Sequence, residues 1–193
     1  MARRYVEHIA PFIDIDFWVT QEFGAPTSGG GTHKGIDIAT IGSRPIYSIS
    51  KGTVYYKGYQ ANGYGYYIII KNTEDGKGFL YAHLMSESTL TVGQNVQVGQ
   101  FIGNEGSSGN STGIHLHLEY QVMTGGTWHY SSNLSDYLNP ADYMGIANMV
   151  DANNSWYYDG TPIPPEESKK HPFPWFIFSS DPSILGEDLE VDE

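Results

Sequence analysis

Between Phe12 and Val122 the chain never sustains a helical repeat. Short apolar or alternating runs follow one another, each cut off by glycine or by Asn-Gly and Asp-Gly pairs. Such a pattern favours strands joined by tight turns. Phe12, Ile13, Ile15, Phe17, Trp18 and Val19 form an apolar entry segment, and IDIAT follows the Gly-rich loop GAPTSGGGTHKG. Residues 44–49, 53–59, 66–71 and 78–83 read as strands, punctuated at Gly52, Asn62-Gly63 and Asp75-Gly76. The run Tyr66-Tyr67-Ile68-Ile69-Ile70 is apolar on both faces, which predicts a central strand. The near-repeats TVGQNV and QVGQFIG predict two short hairpin arms with a glycine turn each. Ile114 to Val122 alternates most cleanly of all. Roughly seven or more strands make the expected fold all-β.

After about residue 145 the composition changes. The stretch NNSWYYDGTPIPPEESKKHPFPW holds five of the ten prolines and has almost no periodicity. It predicts an extended segment laid on a surface, or a linker. Six acidic residues and no basic ones lie between Asp181 and Glu193, the composition of a solvated tail. The chain therefore divides into a lead (1–14), a β domain (15–145) and an extended Pro-rich and acidic tail (146–193). Within the tail, HPFPWFIF (171–178) is too apolar to sit in water and too short to span a bilayer. Pro172 and Pro174 forbid a regular helix there. Phe173, Trp175, Phe176 and Phe178 are expected to bury themselves against either the β domain itself or a neighbouring subunit of a larger assembly. The neighbour is favoured because such aromatic anchors are typical interface residues.

Composition then narrows the chemistry. There is no cysteine among the 193 residues, which excludes disulfides, thiolate metal sites and a cysteine nucleophile. Any metal must be held by imidazole and carboxylate. The formal charge of −12 argues against a nucleic-acid face and against anionic lipid. No stretch approaches the ~18 apolar residues of a membrane helix. The opening MARRYVEHIAPFIDIDFWV is interrupted by Glu7, His8, Asp14 and Asp16, so no secretory signal is expected in this chain.

The informative histidines sit in His115-Leu116-His117-Leu118-Glu119. In a strand, residues two apart share a face. Two imidazoles and a carboxylate thus line one side, while Leu116, Leu118 and Tyr120 form a core wall on the other. At this spacing one imidazole can bind a metal while its neighbour works on the reacting water. Glu119 lies one step further along the same face, and reads either as a group that orients a ligand or as an ordinary exposed glutamate. His33 and Asp37, with Gly35 allowing a bend between them, can converge on one ion from a tight loop. Together these groups supply two imidazoles and a carboxylate, a zinc set with one position left open. His83 ends another strand. His8, His129 and His171 have no partner at metal spacing.

The segments HKGIDIA, YAHL and VGQNVQVGQFIGNEGSSGNSTGIHLHLE resemble, in order and spacing, the three signatures of the lysostaphin-type zinc endopeptidases, which are peptidoglycan hydrolases. The flanking QEFG and RPIYSISKGTVYY are similar too, so the resemblance runs from about Val19 to about Tyr120. It implies an antiparallel-sheet fold with zinc as cofactor. It implies His33, Asp37 and His117 as metal ligands, and His83 and His115 as the two histidines that flank the reacting water. His115 is then the expected general base and His83 the second acid or oxyanion stabiliser. The implied substrate is a peptide bond in peptidoglycan cross-links or stem peptides. The groove is expected between the loops around His33, Asn62-Gly63 and Ser107–Ser111. A complete active site with no export signal points to a phage lysin, a tail-borne enzyme or a trimmed secreted protein.

Two rival classes compete with this reading. Paired VxxGQ arms also occur in biotinyl and lipoyl carriers, but those need a lysine at a hairpin tip, and none lies between Lys77 and Lys169. A non-catalytic wall-binding or structural role would keep the fold without the chemistry, and all five functional positions are filled against it.

Overall fold

In the computed structural model, residues 4–6, 10–13, 15–73, 75–150, 153–156 and 176–178 are described. They form β1 (Arg4–Val6), β2 (Ile15–Gln21), β3 (Gly35–Thr40), β4 (Pro45–Tyr47), β5 (Gly52–Gln60), β6 (Gly65–Asn72), β7 (Lys77–Leu84), β8 (Asn95–Val96), β9 (Phe101–Asn104), β10 (Leu116–Val122), β11 (Tyr137–Leu138), β12 (Asn153–Trp156) and β13 (Phe176–Phe178). Nine of these make one sheet in the order β12-β2-β3-β10-β7-β6-β5-β8, with β11 also on β10. The ladders are antiparallel. β4 and β9 form a second small sheet, and β1 pairs with β13 in a third.

The alternation in β10 sorts as its sequence dictates. Leu116, Leu118 and Tyr120 enter the main core with Ile36, Ile38, Phe79, Tyr81, Ile68 and Ile70. The β4–β9 pair closes that core through Ile46 and Ile102, both fully buried. The opposite face carries a thinner cluster of Tyr67, Ile69, Leu80, Ala82, Met123 and Trp128. β6 lies between β5 and β7, and Ile68, Ile69 and Ile70 are all buried. Its apolar residues serve both clusters, which explains a run without alternation.

Three features differ from the sequence reading. The near-repeats turn at Gly93 and Gly99, both with positive φ, but their strands do not pair with each other. β8 joins β5 and β9 joins β4, because Val96 and Ile102 are drawn into the main core. Second, a single helical turn, α1 (Pro140–Met144), follows β11. Asn139 accepts from the Ala141 amide at 3.0 Å, Pro140 opens the helix and Gly145 closes it at φ 67°. Third, β12 adds its strand to the edge of the main sheet at β2, beyond residue 145. Residues 171–175 of the apolar tail segment, the acidic end from Asp181, His8 and His171 lie outside the described residues. Phe176–Phe178 form β13 on β1. Among the described residues no helix is long and apolar enough to cross a membrane.

Candidate metal centre and groove

Strand register brings the first two groups together. β10 and β3 are antiparallel neighbours, and His117 stands directly opposite Asp37. Directly opposed residues share a sheet face, so the imidazole and the carboxylate meet. His117 Nδ1 lies 2.8 Å from Asp37 Oδ1. His33, in the loop before β3, brings its Nε2 to 3.2 Å from Asp37 Oδ1 and 3.0 Å from His117 Nδ1. Three donor atoms from residues 84 positions apart thus converge on one point, and among the described residues these three form the group able to hold a metal ion.

The outer nitrogens fix the inner ones. His33 Nδ1 donates to the Glu22 carbonyl at 2.8 Å, which turns Nε2 inward. His117 Nε2 donates to Glu119 Oε1 at 3.2 Å, which turns Nδ1 inward. Tyr64 donates its hydroxyl to the same Glu119 oxygen at 2.7 Å. A carboxylate or carbonyl behind a ligating imidazole is the usual means of setting its tautomer and aim. Burial pushes the Tyr64 phenol well up, and the Glu119 charge adds to this, so the hydroxyl keeps its proton. Glu119 itself is 2 % exposed.

Electrostatics agree with the donor set. Burial alone would lower the His117 imidazole, but its hydrogen bonds to Asp37 and Glu119 and their charges push it up to about 10. Burial alone would raise Asp37, yet His117 and His33 hold its carboxyl well below the usual carboxylate range. The pocket favours an ionised carboxylate and a positive charge between these groups. A cation in that place would take over from the His117 Nδ1 proton. Two imidazole lone pairs and one carboxylate would then match the nitrogen and oxygen ligands of zinc, with a position left open.

Gly35 has a different role from the bend expected of it. It is the first residue of β3, and a Cβ there would sit 2.4 Å from the Leu118 carbonyl and 2.8 Å from the His117 ring. The missing side chain lets β3 and β10 close on each other with the His117 imidazole between them.

His83 and His115 stand beside the convergent trio. Their rings are 4.8 Å apart, and His83 is 5.8 Å from the His117 ring. His83 is the one non-glycine residue with positive φ, 58°, among the described residues. A left-handed conformation in a residue with a Cβ is costly, and such strain gathers at functional sites. Its amide donates to Tyr64 O, and its Nδ1 donates to Ser108 O, each at 2.8 Å. His115 Nδ1 donates to Gly113 O at 3.0 Å, and its Nε2 lies 3.6 Å from Asp37 Oδ2. Burial pulls the His83 imidazole down to about 4, so near neutral pH it carries a free lone pair at Nε2.

The loop after β9 is clamped against the β5–β6 turn. Asn110 N donates to Gly63 O at 2.8 Å, and Ser108 Oγ accepts from Tyr66 N at 2.9 Å while donating to Leu84 O at 2.7 Å. Gly65 and Gly109 cross so closely that a Cβ on Gly109 would lie 2.2 Å from Gly65 N. These contacts shape a groove of about 580 Å³, lined among others by His33, Asp37, His83, His115, His117 and Asn110. The loops expected to bound it do so through Thr32, Gly63 and Ser111, whereas Ser107 is not part of its lining.

The profile of peptidase family M23 matches residues 31–129, over half of the 193 residues. The chain belongs to peptidase family M23. Among M23 relatives, the DD-carboxypeptidase/endopeptidase Mpg of Neisseria meningitidis is 39 % identical over 90 residues, 47 % of this chain and 20 % of that protein. The murein hydrolase activator NlpD of Salmonella typhimurium is 37 % identical over 105 residues, 53 % of this chain and 26 % of that protein. The chain thus spans about a quarter or less of the length of these two relatives. The antimicrobial peptidase lysostaphin from Staphylococcus simulans superimposes with a TM-score of 0.56 at 26 % identity, over 67 % of this chain and 49 % of that one. The antiparallel lysostaphin-like fold read from the sequence is the fold of this M23 chain.

Sequence reasoning did not foresee the bond from Tyr64 to Glu119, and it missed Glu105 altogether. Glu105 is fully buried and accepts from the Thr40 amide at 3.1 Å and from the Thr40 hydroxyl, tying the end of β3 to the groove loop. A glutamate in a Gly-Ser-rich run carries no signal of burial.

Proposed function

We propose that this M23 domain, residues 15–145 with β12 on its edge, is a zinc-dependent endopeptidase that hydrolyses peptide bonds in bacterial peptidoglycan. The carrying observation is the convergence of His33 Nε2, Asp37 Oδ1 and His117 Nδ1 in a groove that His83 and His115 also line. His33, Asp37 and His117 would hold the zinc, which supplies a water of lowered pKa and a Lewis acid toward the scissile carbonyl. Glu119, steadied by Tyr64, keeps the His117 ring in its ligating orientation. His115 takes the proton of the attacking water at Nε2 and returns it to the leaving amine. His83 starts neutral with its Nε2 lone pair toward the groove, so it accepts a hydrogen bond from the second proton of the water, which stays on the attacking oxygen as the tetrahedral intermediate forms. Its effect therefore lies in the transition state.

A relative named as a murein hydrolase activator makes a non-catalytic role the second reading. The filled positions at His83 and His115, beside a complete ligand trio, favour the enzyme. Metal analysis of the purified protein, with turbidity clearing of cell walls before and after chelation, separates the two. The expected result is about one zinc per chain and wall clearing that a chelator stops and zinc restores. His115→Ala should keep the zinc and lose at least a hundredfold in rate. Zinc binding without wall clearing by the unaltered chain would favour the activator role.

A further inference from the structure

Next to the groove the same sheet face carries an aromatic pocket that the proposed chemistry does not use. Tyr55, Tyr56, Tyr67, Ile69, Trp128 and Tyr130 enclose about 290 Å³. Tyr56 and Tyr130 are 48 % and 59 % exposed, so the pocket opens to solvent between them. Tyr56 and Tyr67 lean together with ring centres 5.9 Å apart, and the Tyr67 and Tyr130 hydroxyls are hydrogen-bonded at 2.9 Å. Tyr64 joins the pocket to the metal centre: its ring lies 5.9 Å from His117, 5.5 Å from Tyr67 and 6.1 Å from Tyr130.

The lining selects a kind of ligand. It holds five aromatic rings, one aliphatic side chain and no group charged at neutral pH. Burial raises both the Tyr67 and Tyr130 phenols, so these hydroxyls stay protonated. The volume is near the small end of the range for ligand sites, ~300–1,000 Å³, which suits a single ring. A pyranose presents an apolar face of C–H groups and a rim of hydroxyls. It fits a pocket of flat ring faces with phenol hydroxyls at the edge, where each tyrosine offers an apolar body and a polar tip. A stem peptide is rich in carboxylates and amines, which this lining cannot pair. Its backbone would also need free strand amides, and β6, under the pocket, is paired on both sides by β5 and β7.

We infer that the aromatic pocket is a subsite for a neutral sugar ring of the glycan strand, holding the wall polymer while its peptide lies in the adjoining groove. The inference rests on the reading of the groove as a peptidoglycan site.

The test uses the full chain carrying His115→Ala, titrated by calorimetry and NMR with a neutral β-1,4-linked N-acetylglucosamine tetramer. Saturable binding that weakens tenfold or more in both Tyr56→Ala and Tyr130→Ala supports the subsite. The same two changes, made in the chain with His115 intact, should reduce cleavage of intact walls at least tenfold more than cleavage of a cross-linked peptide freed of glycan. Absence of saccharide binding at millimolar concentration, or binding that neither tyrosine affects, overturns the inference. So does an equal loss on both substrates, which would make the pocket a peptide site. If the unaltered chain cleaves neither substrate but the saccharide binds through these tyrosines, the endopeptidase reading fails and the sugar subsite stands.

Discussion

His83 shows how one residue can carry both strain and chemistry. Its φ of 58° puts a Cβ where glycine would be at ease. The conformation is held by the bonds to Tyr64 O and Ser108 O, which aim Nε2 at the groove. Replacing His83 with glycine should leave the fold about 1–2 kcal/mol more stable than replacing it with alanine, since only glycine relieves the left-handed penalty. Thermal melts of the two variants check this, and equal stabilities would mean the strain is absent in solution. Both variants should lose about 10²–10³ in kcat with little change in KM, the pattern of a contact made in the transition state. Behind the metal centre, Tyr64→Phe removes the hydroxyl that holds Glu119 Oε1. Loss of such a supporting bond typically costs about 10–100-fold in metal affinity. Competition with a chelating dye measures it, and unchanged zinc affinity would reduce Tyr64 to a packing residue.

At the scale of elements, the site depends on two strands approaching closely. β3 and β10 set Asp37 opposite His117 and Gly35 opposite Glu119. Gly35→Ala would drive a methyl group into the Leu118 carbonyl and the His117 ring. The strands must part or the ring must turn, at about 1–3 kcal/mol. Melting temperature and zinc stoichiometry should fall together in this variant. A loss of stability with full zinc binding would show that the ladder gives way elsewhere. The HKGID motif announced its chemistry through His33 and Asp37, but its glycine looked like a bend. Only the register revealed a requirement for close approach, because a glycine needed for an absent Cβ and one needed for a turn are identical in sequence.

For the whole molecule, the groove, both hydrophobic clusters and the family match all fall within residues 10–150. β12 adds an outer strand, and β13 pairs with β1 in a sheet of its own. Ending the chain after Ser168 keeps β12 and removes β13. The shortened protein should therefore keep its melting temperature within a few degrees and its wall-clearing rate within twofold. A cooperative loss of fold would place the segment from 169 onward in the domain's own core.

The sequence by itself determined the all-β class, the core wall of Leu116, Leu118 and Tyr120, and the central place of β6. Each follows from side-chain alternation along a single strand, which is a local property. The three signature segments, taken together, also named the family and the five residues of the candidate site. Tertiary structure decided what depends on partners distant in the chain. It paired β8 with β5 and β9 with β4 in place of a local hairpin, since burying Val96 and Ile102 in the main core outweighs a short-range turn. It brought Tyr64 under Glu119, 55 positions away, and Glu105 onto Thr40 across 65. It also placed five aromatic side chains from β5, β6 and the loop after β10 around one pocket. Tyrosines that pack across strands and tyrosines that wall a cavity have the same local pattern, and the twist and register of the sheet separate them.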